Sequence, residues 1–168
     1  MSIRTAAIPL QIFHSNLFSL SVFCEKNTTM INMNIISQYL NTSYLPFTYS
    51  ILESKLPSVL QSQCFNNLGL PFCEEVKSTE AGHLFEHIFL DYLCEAKISR
   101  GYQYAEFSGV TDWNWKKEEL GTFHIKIKAG IEDKEEIYEA LKKTISLFQL
   151  IVTSHFTLTP SQTLNALN

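Results

Sequence analysis

Two histidines and a glutamate in the middle of the chain are spaced for metal chemistry: His83, Glu86 and His87, in the string His83-Leu84-Phe85-Glu86-His87. Residues four apart on an α-helix project from one face, so two imidazoles there can take adjacent corners of a tetrahedral zinc site. Zinc acidifies the water that it binds, and a carboxylate alongside can accept a proton and return it to a leaving group. Glu86 is the candidate for that role. The order H-x-x-E-H is the inverted-zincin arrangement. The competing reading is structural: two solvated rings on the polar face of a helix, or rings that only hydrogen-bond carboxylates such as Glu80 and Asp91.

A catalytic zinc site takes three protein ligands. Glu80, His83, His87 and Asp91 share one helix face, but Glu80 and Asp91 lie about a turn beyond the histidine pair and reach a common ion poorly. Glu80, Asp91 and Glu106 are the candidates for a third ligand or for groups that orient the first two. Glu135, Glu136 and Glu139 are further options downstream.

The helix that must carry the motif spans residues 79–93. Ser78 or Thr79 offers an N-cap, Glu80 a carboxylate in the first turn, and Ala81, Leu84, Phe85, Ile88 and Tyr92 an apolar stripe. Around it the chain reads as α+β, a single domain of mainly antiparallel sheet packed against helices over residues 1–153, with a weakly ordered tail at 154–168. Residues 7–26 suggest two strands, or a strand and a shaped loop, broken at His14-Ser15-Asn16. Apolar spacing predicts helices within 31–40 and 50–63, limited by Pro46 and Pro57. The run Asn66-Asn67-Leu68-Gly69-Leu70-Pro71 is turn chemistry.

Residues 101–110 and 121–128 alternate apolar and polar side chains and read as antiparallel neighbours. Their connection carries Thr111-Asp112-Trp113-Asn114-Trp115, whose indoles either stack on a ligand group or cap the core. A last helix begins at Asp133, with Ile137, Leu141, Ile145, Phe148 and Ile151 facing inward. The acidic run Glu132 to Glu136 reads as its solvated start, and Lys97 and Arg100 as compensation for the preceding helix C-terminus.

With 168 residues, 45% of them hydrophobic and 18% charged, the chain has the size and composition of one ordinary globular domain. A net charge of -4 and the lack of a Lys/Arg cluster exclude a general nucleic-acid surface and favour a cationic or neutral ligand. Residues 1–72 hold only Arg4, Glu25, Lys26, Glu53 and Lys55 as charged groups, so that half is buried or faces a partner. Cys24, Cys64, Cys73 and Cys94 form no C-x-x-C pair, and no charged-then-apolar leader precedes them. They read as reduced thiols of a cytoplasmic protein. No apolar stretch approaches the ~20 residues of a membrane span.

The string Thr79-Glu80-Ala81-Gly82-His83-Leu84-Phe85-Glu86-His87-Ile88-Phe89-Leu90-Asp91 resembles the G-H-x-x-E-H-x-A-L-E segment of the N-terminal domain of cyanophycin synthetases and its free-standing relatives. Asp91 stands at the family's second acidic position. His14-Ser15-Asn16-Leu17-Phe18-Ser19 is similar to its G-P-N-I-W-S stretch, and Leu56-Pro57-Ser58-Val59-Leu60 with Cys64 to its L-P-G-L and Cys stretch. Phe107-Ser108-Gly109-Val110-Thr111-Asp112-Trp113 is similar to its S-G-x-T-x-W loop. The resemblance covers residues 10 to about 151; His14-Ser15 replaces the family's G-P, and Glu80 an aromatic.

The resemblance implies engagement of cyanophycin, an aspartate-backbone polymer bearing arginines through isopeptide bonds, or of a related peptide. In members that keep the H-x-x-E-H helix functional it also implies slow metal-dependent cleavage, with His83 and His87 as zinc ligands, Glu86 as general base and Asn16, Asp112 and Trp113 as substrate contacts. The alternative is a non-catalytic module that binds the polymer or a separately encoded ligase. The chain carries no Gly-rich phosphate loop, so it is not expected to be an ATP-dependent ligase on its own.

Overall fold

A computed structural model describes residues 8–36, 38–65 and 69–154. They form one α+β domain in which every strand pair is antiparallel. The strands are β1 (Ile8–His14), β2 (Phe18–Cys24), β3 (Thr29–Ile35), β4 (Gly109–Asp112) and β5 (Thr122–Ile127), in the order β1-β2-β3-β5-β4. The helices are α1 (Thr48–Lys55), α2 (Phe72–Glu75), α3 (Ala81–Ser99) and α4 (Lys134–Ser154).

Period-two alternation puts Phe18, Leu20 and Val22 of β2, Ile31 and Met33 of β3, and Phe123, Ile125 and Ile127 of β5 into one buried layer. Ser19, Ser21, Asn32 and Lys126 occupy the intervening positions, which keep contact with solvent. The helices α3 and α4 supply the other half of the core. The Phe18 ring meets Phe85 of α3 and Phe148 of α4 edge-on, at 6.5 and 5.1 Å. The expected stripe of α4 is buried throughout. The helix α3 lies directly on β5, because a Cβ on Gly82 would stand 2.5 Å from the Phe123 ring. The glycine that precedes His83 is therefore a packing requirement.

Several local expectations are corrected. Residues 31–35 belong to β3, not to a helix: Ile31, Met33 and Ile35 alternate with Asn32 and Asn34, and pairing to both β2 and β5 decides between two periods that so short a run satisfies equally. The helix within 50–63 is α1, which stops before Pro57, and a 3-10 turn covers Pro57–Gln61. Only Gly109–Asp112 of the segment 101–110 and its connection pairs with β5. The helix α3 starts at Ala81 without a side-chain cap and continues to Ser99. Glu136 is buried rather than solvated, with Lys97 Nζ at 3.7 Å and Arg100 Nε at 3.8 Å, while Lys97 donates to Asp133 at 2.6 Å. Those groups join the end of α3 to the start of α4. The turn residues 66–68 and the tail from residue 155 lie outside the described residues. Among the described residues no helix is long and apolar enough to cross a membrane.

Candidate metal centre

His83 and His87 stand one turn apart on α3, with ring centroids 4.8 Å apart. Their neighbours come from the segment that follows the Pro57–Gln61 turn. Cys64 Sγ lies 3.4 Å from His83 Nε2, and one donor atom from each of Cys64, His83 and His87 falls within 4.8 Å of the others. Zn–S and Zn–N bonds at tetrahedral angles put S and N roughly 3.5 Å apart, a spacing that Cys64 and His83 already meet, while the 4.8 Å limit on the full set asks the donors to close in around an ion. One thiolate and two imidazoles form a borderline-soft set suited to zinc.

Hydrogen bonds aim the rings. Ser62 Oγ donates to the Val59 carbonyl at 2.7 Å, which leaves its oxygen to accept from His87 Nδ1 at 2.9 Å. That arrangement sets the proton on Nδ1 and frees the Nε2 lone pair. Thr79 Oγ1 lies 2.8 Å from His83 Nδ1 and holds the second ring in its orientation. Thr79 is thus spent on a histidine instead of on capping the helix. Phe72 stacks on His87 at 3.8 Å and fixes its plane.

Glu86 sits on the same helix but is 4% exposed, with the Thr111 hydroxyl of β4 donating to its Oε2. Gly109 makes room for it, since a Cβ there would stand 2.8 Å from Glu86 Oε1. Burial pushes the carboxyl pKa above its ordinary value, and the Thr111 bond opposes that in part. Ser62, His83, Glu86, His87, Gly109 and Thr111 open onto one cavity of about 850 Å³ between α3, the Ser62 segment and the chain leading into β4.

No family model matches the chain, and no curated protein is significantly similar to it. Glu80, Asp91 and Glu106 all line the cavity, outside the three-residue donor group. Asp91 accepts from Ser58 at 2.6 Å, and burial raises its pKa. Glu106 accepts from Tyr104 at 2.7 Å. Trp113 lines the cavity while packing edge-on against Phe123. Asn16 is exposed in the β1–β2 turn and Asp112 accepts from the Trp113 N–H at 2.9 Å; neither lines the cavity. Glu136 and Glu139 face Lys97, Arg100 and Lys143 on α3 and α4. Cys64, Ser62 and Thr111 escaped the sequence reading as parts of the site. The available signal was their place in the resembling strings, Cys64 after Leu56-Pro57-Ser58-Val59-Leu60 and Thr111 before Asp112-Trp113.

The buried His87 makes the metal-free protein sensitive to acid. Burial, and then the neighbouring His83, lowers the pKa of His87 to about 3, so the ring is neutral at pH 7. In the unfolded chain it titrates near 6.5. The unfolded state therefore takes up more protons between those values, and stability drops as pH falls through the window. From pH 7 to pH 4 the loss due to His87 is about 3 kcal/mol. Glu86 and Asp91, whose folded pKa values are raised, act in the opposite sense and offset part of it. Denaturant unfolding of metal-free protein should show the loss, and His87→Gln should remove most of it. An unchanged slope in the variant would mean that the ring does not carry the effect.

Proposed function

We propose that the chain is a zinc-dependent hydrolase of peptide or isopeptide bonds, acting in the cytoplasm on a cyanophycin-like polymer or a peptide. The observation that carries this reading is a buried carboxylate, Glu86, opening onto the same cavity as His83 and His87, with the third donor, Cys64 Sγ, 3.4 Å from His83 Nε2. Cys64, His83 and His87 would hold the zinc, which would supply a Lewis acid for the scissile carbonyl and for water. Glu86 takes a proton from the attacking water and hands it to the leaving nitrogen. A raised pKa suits a carboxyl that must hold that proton for part of the cycle. The Thr111 hydroxyl keeps the carboxylate in one orientation.

The walls suit a chain bearing cationic and apolar groups: Glu75, Glu80, Asp91 and Glu106 on one hand, Phe65, Tyr104 and Trp113 on the other. The same lining favours the second reading, a non-catalytic module that binds a polymer or a separate ligase. The test is metal content after purification without added zinc, with digestion of an arginine-bearing aspartate polymer and of peptides, with and without chelator. Near-stoichiometric zinc and chelator-sensitive cleavage are expected. A metal-free, inert protein that still binds the polymer saturably would leave only the binding reading.

A further inference from the structure

We infer that the free edge of β4 is a docking strand, on which an extended, basic peptide segment adds as a sixth strand of the sheet and is carried across the metal centre. This inference rests on the hydrolase reading for its occupant, but its geometry is independent of zinc.

The strand β4 closes one end of the sheet, with β5 on one side only. Its register with β5 determines which backbone groups that pairing consumes. Lys128 N donates to Ser108 O at 2.8 Å, so that pair is a hydrogen-bonded one. Counting in steps of two along the same register, Val110 opposite Lys126 and Asp112 opposite His124 are hydrogen-bonded pairs as well. Gly109 and Thr111 fall between them, and their N–H and C=O groups point away from β5. Among the described residues no other hydrogen bond reaches those four groups. A strand added there completes them with up to four backbone bonds.

The two edges of the sheet are treated differently. The far edge, β1, carries Pro9 and a register shift between Pro9 and Gln11, both of which discourage strand addition. The edge at β4 carries no proline, lysine or bulge. It also lies where a substrate is wanted: Ser108, Gly109, Val110 and Thr111 form one wall of the cavity onto which His83 and His87 open. The two outward-facing residues are the two that touch Glu86, Thr111 by its hydroxyl and Gly109 by the space it leaves. A peptide group paired to this edge is thereby delivered beside the carboxylate. Charge selects the occupant, because Glu75, Glu80, Asp91 and Glu106 line the path and, among the described residues, no lysine or arginine does.

The test uses zinc-loaded Glu86→Gln protein, which binds without turning over. It is titrated calorimetrically with a capped nonapeptide of alternating lysine and alanine, and with the set of derivatives N-methylated at one amide each. A residue in a strand turns both its N–H and its C=O to one side, so methylation at alternate amides should weaken binding at least about tenfold and leave the intervening ones nearly unchanged. A profile without alternation, no binding at millimolar peptide, or a dimer joined through β4 overturns the inference. Turnover of the parent peptide by wild-type protein is read separately. Alternation keeps the docking strand whether or not the peptide and the arginine-bearing polymer are cleaved, and failure to cleave either removes the hydrolase alone, whereas turnover without alternation removes the docking strand alone.

Discussion

Glu86→Gln should leave the protein folded and zinc-loaded while cutting turnover by about 10²–10⁴-fold, the range that a positioned general base contributes. The substitution preserves shape, and the amide oxygen still accepts from Thr111, so the wall between α3 and β4 keeps its packing. What is lost is the ability to take up a proton. Because Glu86 is buried and burial raises its pKa, replacing a charge-bearing group with a neutral amide also removes a desolvation cost. Thermal stability should hold or rise by a few degrees. Metal content by elemental analysis, melting temperature and initial rates on the same preparation separate these effects. Full turnover in the variant would remove Glu86 from the chemistry, whereas lost zinc would mean that it acts on the metal.

Cys64→Ala should weaken zinc binding by more than about 100-fold, beyond the 10–100-fold that loss of an orienting partner costs. The ranking is more informative than the single value. Ser62→Ala, which leaves His87 Nδ1 without its acceptor, should fall in the orienting range. Glu80→Gln, Asp91→Asn and Glu106→Gln should change affinity only a few-fold, because they line the cavity outside the donor group. Competition against a chromophoric chelator measures all five. A Cys64→Ala protein that holds zinc like wild type, alongside a carboxylate variant that loses it, would reassign the third ligand. Binding should also release protons as the Cys64 thiol becomes a thiolate, a signal that disappears in the alanine variant.

Local physics made the helix of the H-x-x-E-H motif legible, because fifteen residues of one strong period leave few alternatives. The last helix was legible for the same reason, and its five predicted inward residues are all buried. Short segments were not. Ile31 to Ile35 satisfies both a helical and a strand spacing, and only the neighbours on either side, β2 and β5, choose the strand. The acidic run at the start of α4 looked solvated until Lys97 and Arg100 arrived from α3 to neutralise Glu136 in a buried setting.

The candidate site divides along the same line. Two imidazoles on one helix face and a carboxylate beside them follow from the helical period, so residue spacing alone determined His83, Glu86 and His87 as a unit. Everything that turns the unit into a group able to hold a metal ion comes from elsewhere in the chain: the Cys64 thiol, the Ser62 hydroxyl, the Phe72 ring and the Thr111 hydroxyl. Nineteen positions separate Cys64 from His83 with a turn between them, and no periodicity spans such a gap. Packing of the Pro57–Gln61 turn and α2 against α3 brought those groups together, because closing a tetrahedral donor set needs approach from more than one direction.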